Sequence, residues 1–199
     1  MNPDQIEYWD AQATRRSVGT MSDNIWKRQQ ILKRLLNYDW SDTQILDIGA
    51  GLGNTAAALK CAIINNFKYI GTDISSIACE QARHHFGLNV VQADTNSLPI
   101  GKFDRIWAFD SLEHVNPEER DAAYIEIGKR LKKHGTLFMN VPMTEDSRHS
   151  DEYDHPYTLH DVLRLADVAK FTVKLIERYS IYIPVNNSVR EYYWVEMYA

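Results

Sequence analysis

Apolar and polar positions along the chain change period several times, and each change marks an element. From Ser22 the apolar residues Ile25, Trp26, Ile31, Leu32, Leu35 and Leu36 recur at helical spacing, which predicts an amphipathic helix. Short apolar runs bounded by turn residues then predict strands at Gln44–Ile48, Tyr69–Asp73, Val90–Gln92, Arg105–Phe109 and Thr136–Val141. Helical segments lie between them at Thr55–Asn65, Ile77–Phe86 and Pro117–Leu131. The last is well signalled: Asn116 suits the N-cap, Pro117 the first helical position, and Glu118 and Glu119 complement the helix dipole. Gly135 is read as the end of that crossover. Strands alternating with helices imply βαβ units and a parallel sheet covered on both faces. The tail differs, with a short helix around Leu159–Ala166 and β-rich stretches at Phe171–Tyr179 and Tyr192–Met197. Two late strands without a helix between them predict antiparallel pairing at one edge of the sheet.

Composition narrows the function classes. The chain has 199 residues, 44% hydrophobic and 25% charged, and no repeat or Gly/Ser/Pro-rich linker, so a single domain over 1–199 is expected. A net charge of −5 lacks the broad basic field that favours nucleic acid or anionic lipid, and points to a small-molecule partner. Cys61 and Cys79 lack metal-ligand spacing and are expected as core thiols in a reducing compartment. The start MNPDQIEYWD has no apolar leader, and no uncharged run is long enough for a bilayer, so no membrane partner and a cytoplasmic location are expected.

The chemistry begins at ILDIGAGLGNTAAALK, residues 45–60. A strand, a tight glycine turn and a helix follow one another, so several backbone N–H groups and the positive end of a helix dipole converge where a nucleoside-bearing cofactor can approach the main chain. The dinucleotide fingerprint would need a glycine at position 54, which is Asn54; the third glycine is Gly53. The second strand ends in YIGTDIS, placing Asp73 at its carboxyl end, 20 residues after Gly53, where a carboxylate can accept both hydroxyls of a ribose. An ordinary strand-end or capping role for Asp73 is the alternative. The third strand runs into VVQADTNSLP, with Asp94 and Thr95 at its end, and the fourth into FDRIWAFDSLEHV.

The turn LDIGAGLG, the acids Asp73 and Asp94, and the run Asp110-Ser111-Leu112-Glu113-His114 together resemble the class I S-adenosylmethionine-dependent methyltransferases, in the small-molecule group with a DxLEHV motif. The resemblance covers roughly residues 40–145, and HGTLFMNVP is consistent with the family's fifth strand. It implies a Rossmann-like three-layer α/β/α sandwich around a mostly parallel seven-stranded sheet with an antiparallel edge strand. It implies S-adenosylmethionine as cofactor, held by Asp47, Gly49, Ala50, Gly51, Gly53, Asp73, Ile74, Asp94, Thr95, Asp110 and Ser111. Asp94 would accept from the adenine amine, and Thr95 would offer a backbone N–H. Residues 1–40 would form a helical lid on a core of 41–199, with Tyr8, Trp9, Arg16, Trp26 and Arg28 as candidates over cofactor and acceptor. Each of these is equally readable as a core or solvated residue. Downstream, Lys170 stands before Phe171 where the family usually has glycine.

The implied reaction is in-line methyl transfer to a small-molecule N or O acceptor. Holding nucleophile and methyl in line can be worth roughly 7–11 kcal/mol. A base helps when the acceptor is protonated, and His114 is a candidate, with packing as the alternative. The loop from Glu145 to His155 holds five acids and two histidines; it either borders the acceptor pocket, where its acids could attract an amine and His149 or His155, the latter a second catalytic candidate, could assist deprotonation, or is simply solvated. No spacing supports a metal site at Asp146, Asp151 or Asp154. The aromatic run Tyr192, Tyr193 and Trp194 is read as strand packing. Two other functions share part of this pattern. A nicotinamide-dependent oxidoreductase would use the same turn and ribose acid, but Asn54 argues against it. A catalytically silent cofactor-binding subunit would keep all of it. The absence of an NPPY-like turn after the fourth strand disfavours nucleic-acid acceptors.

Overall fold

The computed structural model describes residues 2–15, 25–62, 66–143, 153–183 and 187–199. Two helices, α1 (Pro3–Arg15) and α2 (Ile25–Leu35), precede β1 (Gln44–Ile48). Then come α3 (Asn54–Ala62), β2 (Lys68–Asp73), α4 (Ser76–Phe86), β3 (Val90–Gln92) and β4 (Phe103–Phe109). Short 3₁₀ turns at Leu112–His114 and Pro117–Glu119 lead into α5 (Arg120–Arg130), which is followed by β5 (Leu131–Pro142), α6 (Leu159–Val168), β6 (Thr172–Ile183) and β7 (Ser188–Tyr198).

The seven strands form one sheet in the order β3-β2-β1-β4-β5-β7-β6. β1 to β5 pair in parallel, and β7 runs antiparallel to both of its neighbours, giving the expected mostly parallel sheet with antiparallel pairing at one edge. Because β1 is flanked by β2 on one side and β4 on the other, the chain leaves the sheet in opposite directions at that point. A crevice opens there at the carboxyl ends of the strands.

Period-two alternation explains how the sheet is sandwiched. Leu46, Ile48, Ile106, Ala108, Leu137 and Met139 face a layer containing Tyr124 and Ile127 of α5 and Val162 and Leu165 of α6. The residues between them, Ile45, Trp107, Phe109 and Phe138, face Ile31 and Leu35 of α2, Ala56 and Leu59 of α3, and Cys79 and Ala82 of α4. The central strands β1, β4 and β5 are thus buried on both faces, the three-layer arrangement expected of parallel strands.

Three local expectations are corrected. Gly135 lies inside β5: Phe103 pairs with Leu131 and the next pair is Arg105 with Thr136, so residues 132–135 bulge out of the ladder, with His134 at φ 64°. Asn116 makes no cap bond to the following turn; its amide instead reaches the Glu119 carboxylate at 3.3 Å. Cys61 is exposed, and only Cys79 is a core thiol. The expected helix start at Ser22 lies outside the described residues.

Candidate functional site

The glycine turn after β1 is built around close approach. An added Cβ on Gly49 would stand 2.3 Å from the Cβ of Ser111, so β1 and β4 can end side by side only with glycine there. Gly51, at φ 55°, has nothing within 4 Å of the same position and leaves open space above the main chain. Gly53 serves packing, since its Cβ would meet Leu88 at 2.4 Å.

Asp73, at the end of β2, accepts from the Gly51 N–H at 2.8 Å and from the Ser75 N–H at 2.9 Å. Asp94 closes its own turn, accepting from the Asn96 N–H at 3.0 Å and the Ser97 hydroxyl at 2.8 Å. Burial acts to raise its pKa, but the bonds from Ser97 and Asn96 help leave the carboxyl below its ordinary range. Asp110, at the end of β4, is held in the left-handed region at φ 52°, a conformation unusual for a residue with a side chain. Its Oδ1 pairs with the Lys27 ammonium at 2.7 Å and accepts from the Asn140 amide at 2.8 Å.

A cavity of about 270 Å³ lies over these strand ends, lined by Gly49, Gly51, Asp73, Ile74, Asp94, Thr95, Asp110 and Ser111. Ser111 Oγ is buried without a hydrogen-bond partner among the described residues, so its donor capacity is available to an occupant. An open glycine, a strand-end carboxylate and an unused hydroxyl around one cavity suit a nucleoside with a sugar diol.

Helix α1 forms the opposite wall through Gln5, Ile6, Trp9 and Ala13. Asp10 fastens it to the N-terminus of α4, accepting from Ser75 Oγ at 2.6 Å and the Ile77 N–H at 3.3 Å. Gln5 fastens it to β4's exit by donating to the His114 carbonyl at 2.8 Å. The Trp9 ring lies 4.5 Å from the His114 imidazole, and Tyr8 lies 5.0 Å from Tyr153.

His114 also lines the cavity. Its Nδ1 lies 3.1 Å from Asp154 Oδ1 and 3.2 Å from the Tyr153 carbonyl oxygen. Both partners only accept, so Nδ1 carries the proton and Nε2 is the position left to titrate. Burial opposes the charged ring, yet the Asp154 bond and the neighbouring Glu113 together raise its affinity for a proton. Glu113 is buried with one oxygen unpartnered among the described residues, and burial pushes its carboxyl up to about 7.

The structure therefore brings together most of the sequence-derived site, and sets several members apart. Asp47 lies beneath the turn, accepts from the Tyr69 hydroxyl at 2.8 Å and does not line the cavity; burial raises its carboxyl to about 7. Ala50 packs into the core layer beside α3. His155 does not line the cavity; its N–H donates to the Glu113 carbonyl at 2.9 Å and its own carbonyl accepts from Arg120. Tyr8, Trp26, 47% exposed, and Arg28 are also off the cavity; among the described residues of 1–40 it is Asn2 and α1 that line it. Arg16, His149, Asp146 and Asp151 lie outside the described residues. No group of three or more His, Cys, Asp or Glu side chains among the described residues could hold a metal. Sequence reasoning missed Lys27 and Asn140. The signal for Lys27 was a cation on the buried stripe of α2, in step with Ile31 and Leu35.

The fold and the strand-end crevice define a Rossmann-like domain that binds a nucleoside cofactor. Residues 45–135 match the methyltransferase domain family. That stretch carries a methyltransferase domain, and the chain has the fold of the class I S-adenosylmethionine-dependent methyltransferases. Among curated relatives, it is 30% identical over 143 residues to the phosphoethanolamine N-methyltransferase of Plasmodium falciparum, covering 64% of this chain and 52% of that protein. It is 31% identical over 144 residues to the sarcosine/dimethylglycine N-methyltransferase of Halorhodospira halochloris, covering 68% of this chain and 47% of that protein. The chain thus spans about half the length of these relatives. In fold it is similar to the magnesium protoporphyrin IX methyltransferase of Synechocystis PCC 6803 with bound SAH, with a TM-score of 0.75, 15% identity and 98% of each chain covered.

Proposed function

We propose that this chain transfers a methyl group from S-adenosylmethionine to a small-molecule N or O acceptor. One observation carries the reading: a single cavity meets the glycine turn, the β2 carboxylate, the β3 turn and the β4 end at once. In this reading Gly49, Gly51 and Asp73 hold the nucleoside and its ribose, Asp94 and Thr95 take the base, and Asp110 and Ser111 face the amino-acid end. The cofactor supplies an activated methyl on a sulfonium. The protein's own task is to align, to exclude water and to move a proton. Trp9 and Ile6 of α1 screen the cavity from solvent. His114, oriented by Asp154, receives at Nε2 the proton that an acceptor N–H or O–H gives up.

The named substrates of the similar proteins include small amines and a porphyrin, which supports a small-molecule acceptor. The acidic net charge of −5 supports the absence of a nucleic-acid partner. A cytoplasmic setting accords with the free thiols at Cys61 and Cys79, and no helix among the described residues is long and apolar enough to cross a membrane. Calorimetric titration of the full chain with S-adenosylmethionine and with NADH tests the cofactor, and labelled-methyl incorporation into a panel of amines, alcohols and phenols tests the acceptor. Binding of NADH alone would return the site to the oxidoreductases. Binding of S-adenosylmethionine without transfer to any acceptor would favour a silent binding subunit.

A further inference from the structure

Asp110 is held in a way that the cavity alone does not require. Lys27 reaches it from α2, which is otherwise packed on the far layer of the core, and the lysine is only 6% exposed. Its ammonium lies 2.7 Å from Asp110 Oδ1, 3.3 Å from the Tyr192 hydroxyl and 4.6 Å from the centre of that ring. The Asn140 amide donates to the same Oδ1 at 2.8 Å, and Asn140 Oδ1 in turn accepts from the Tyr179 hydroxyl. The Asp110 backbone N–H is tied to the Asn140 carbonyl at 3.2 Å. Each of the bonds to Asp110 itself falls on Oδ1 or on the main chain. Oδ2 has no partner among the described residues, although the side chain keeps 27% of its surface and lines the cavity.

Burying a lysine costs several kcal/mol unless it is paired, so the pair is retained only where the geometry is good and the remaining lone pairs are used. Burial opposes the Lys27 charge, but Asp110 and Tyr192 outweigh it and hold the group protonated above its ordinary range. The carboxylate that results is fixed in two directions, by a cation behind it and by a backbone locked at positive φ. The described cavity lining carries the carboxylates Asp73, Asp94, Asp110 and Glu119, and no lysine or arginine. An occupant at this end is met by fixed negative charge.

We propose that Lys27 is a positioning residue: with Asn140 it occupies one oxygen of Asp110, so that the other faces the cavity as a fixed receptor for an ammonium or amine group. The inference rests on the S-adenosyl reading of the site. The ammonium has two possible sources, the amino-acid end of the cofactor or an amine acceptor, and binding measurements separate them. The full chain is titrated with S-adenosylhomocysteine and with 5′-methylthioadenosine, which keeps the nucleoside and thioether but lacks the amino-acid end. Protein saturated with S-adenosylhomocysteine is then titrated with benzylamine and with benzyl alcohol.

If the cofactor supplies the ammonium, Lys27→Met lowers the preference for S-adenosylhomocysteine over 5′-methylthioadenosine at least tenfold, with 5′-methylthioadenosine affinity within threefold of the parent. If the acceptor supplies it, the parent prefers benzylamine to benzyl alcohol at least tenfold, and Lys27→Met abolishes that preference. In either case Lys27→Arg restores most of the effect, which mere loss of packing would not allow. Asp110→Asn gives the same reading should Lys27→Met not fold, as judged by circular dichroism. Both preferences within threefold of the parent in a folded variant overturn the proposal. S-adenosylhomocysteine binding with neither preference in the parent also overturns it while leaving the cofactor reading intact, and no binding of either nucleoside by the folded parent removes both.

Discussion

At the scale of single residues, the turn after β1 carries an acid whose work is beneath the site. Asp47 is buried against Tyr69, and burial raises its carboxyl from 3.8 to about 7. A raised folded value means the native state binds the proton more tightly than the unfolded chain does. Its stabilisation is complete below about pH 4 and is lost as pH rises to about 7, on the order of 4 kcal/mol at most. Asn at 47 can still accept from the Tyr69 hydroxyl but cannot titrate. In urea titrations, Asp47→Asn should therefore flatten the fall in unfolding free energy between pH 4 and 7, and an unchanged slope would refute the assignment. His114 is the other residue with a separable role. In the proposed reaction His114→Gln lowers turnover by roughly 10²–10⁴-fold, the usual contribution of a positioned acid or base, while cofactor affinity stays within a few-fold. Equal turnover would take the imidazole out of the mechanism. The sequence made both positions visible through LDIGAG and SLEHV, but not which way either side chain would face. That depends on Tyr69 and Asp154, 22 and 40 residues away.

At the scale of elements, most of what was legible came from period and punctuation. β1 and β3 begin and end where the apolar runs do, and α4 ends at Gly87 in the left-handed conformation at φ 60°, as a helix-stopping glycine should. The β5 bulge was hidden, because strand pairing to Phe103 continues past a break that local sequence reads as a helix terminus. Helix α1 was foreseen only as part of a lid, since among its residues Ala13 alone is buried. Its attachment joins a small apolar contact, Ala13 against Leu52 and Ala78, to polar bonds centred on Asp10. Removing that carboxylate takes away a capping interaction worth about 1 kcal/mol. Hydrogen exchange in Asp10→Ala should accelerate across residues 3–15 while the amides of β1 and β4 keep their protection. Uniform acceleration through the sheet would mean that α1 is part of the global folding unit rather than a separately opening wall.

At the scale of the whole molecule, the sheet order was not readable from local pattern. Antiparallel pairing of the last two strands follows from their short connection, but insertion of β7 between β5 and β6 depends on pairs such as Met139 with Val195. What the pattern did fix was the rim: parallel strands in order bring Gly49, Asp73, Asp94 and Asp110 to one end of the sheet. A ligand there touches both halves of the fold and binds only the folded chain. At a hundredfold excess over its dissociation constant it should contribute about 2.7 kcal/mol, which for a chain of this size raises the melting temperature by roughly 5–10 °C. S-adenosylhomocysteine should produce that rise and NADH none; the reverse pattern would contradict the proposed cofactor.

Asp73 and Ser75 are two residues apart on the same short bend, the first bonded to Gly51 and the second to Asp10 of the covering helix. In the proposed reading, the ribose receptor and the anchor of α1, the door over the cavity, thus share one short piece of chain. A sugar that steadies this bend also steadies the door, so occupancy and closure reinforce one another, and by reciprocity a door that shuts more firmly retains its guest for longer.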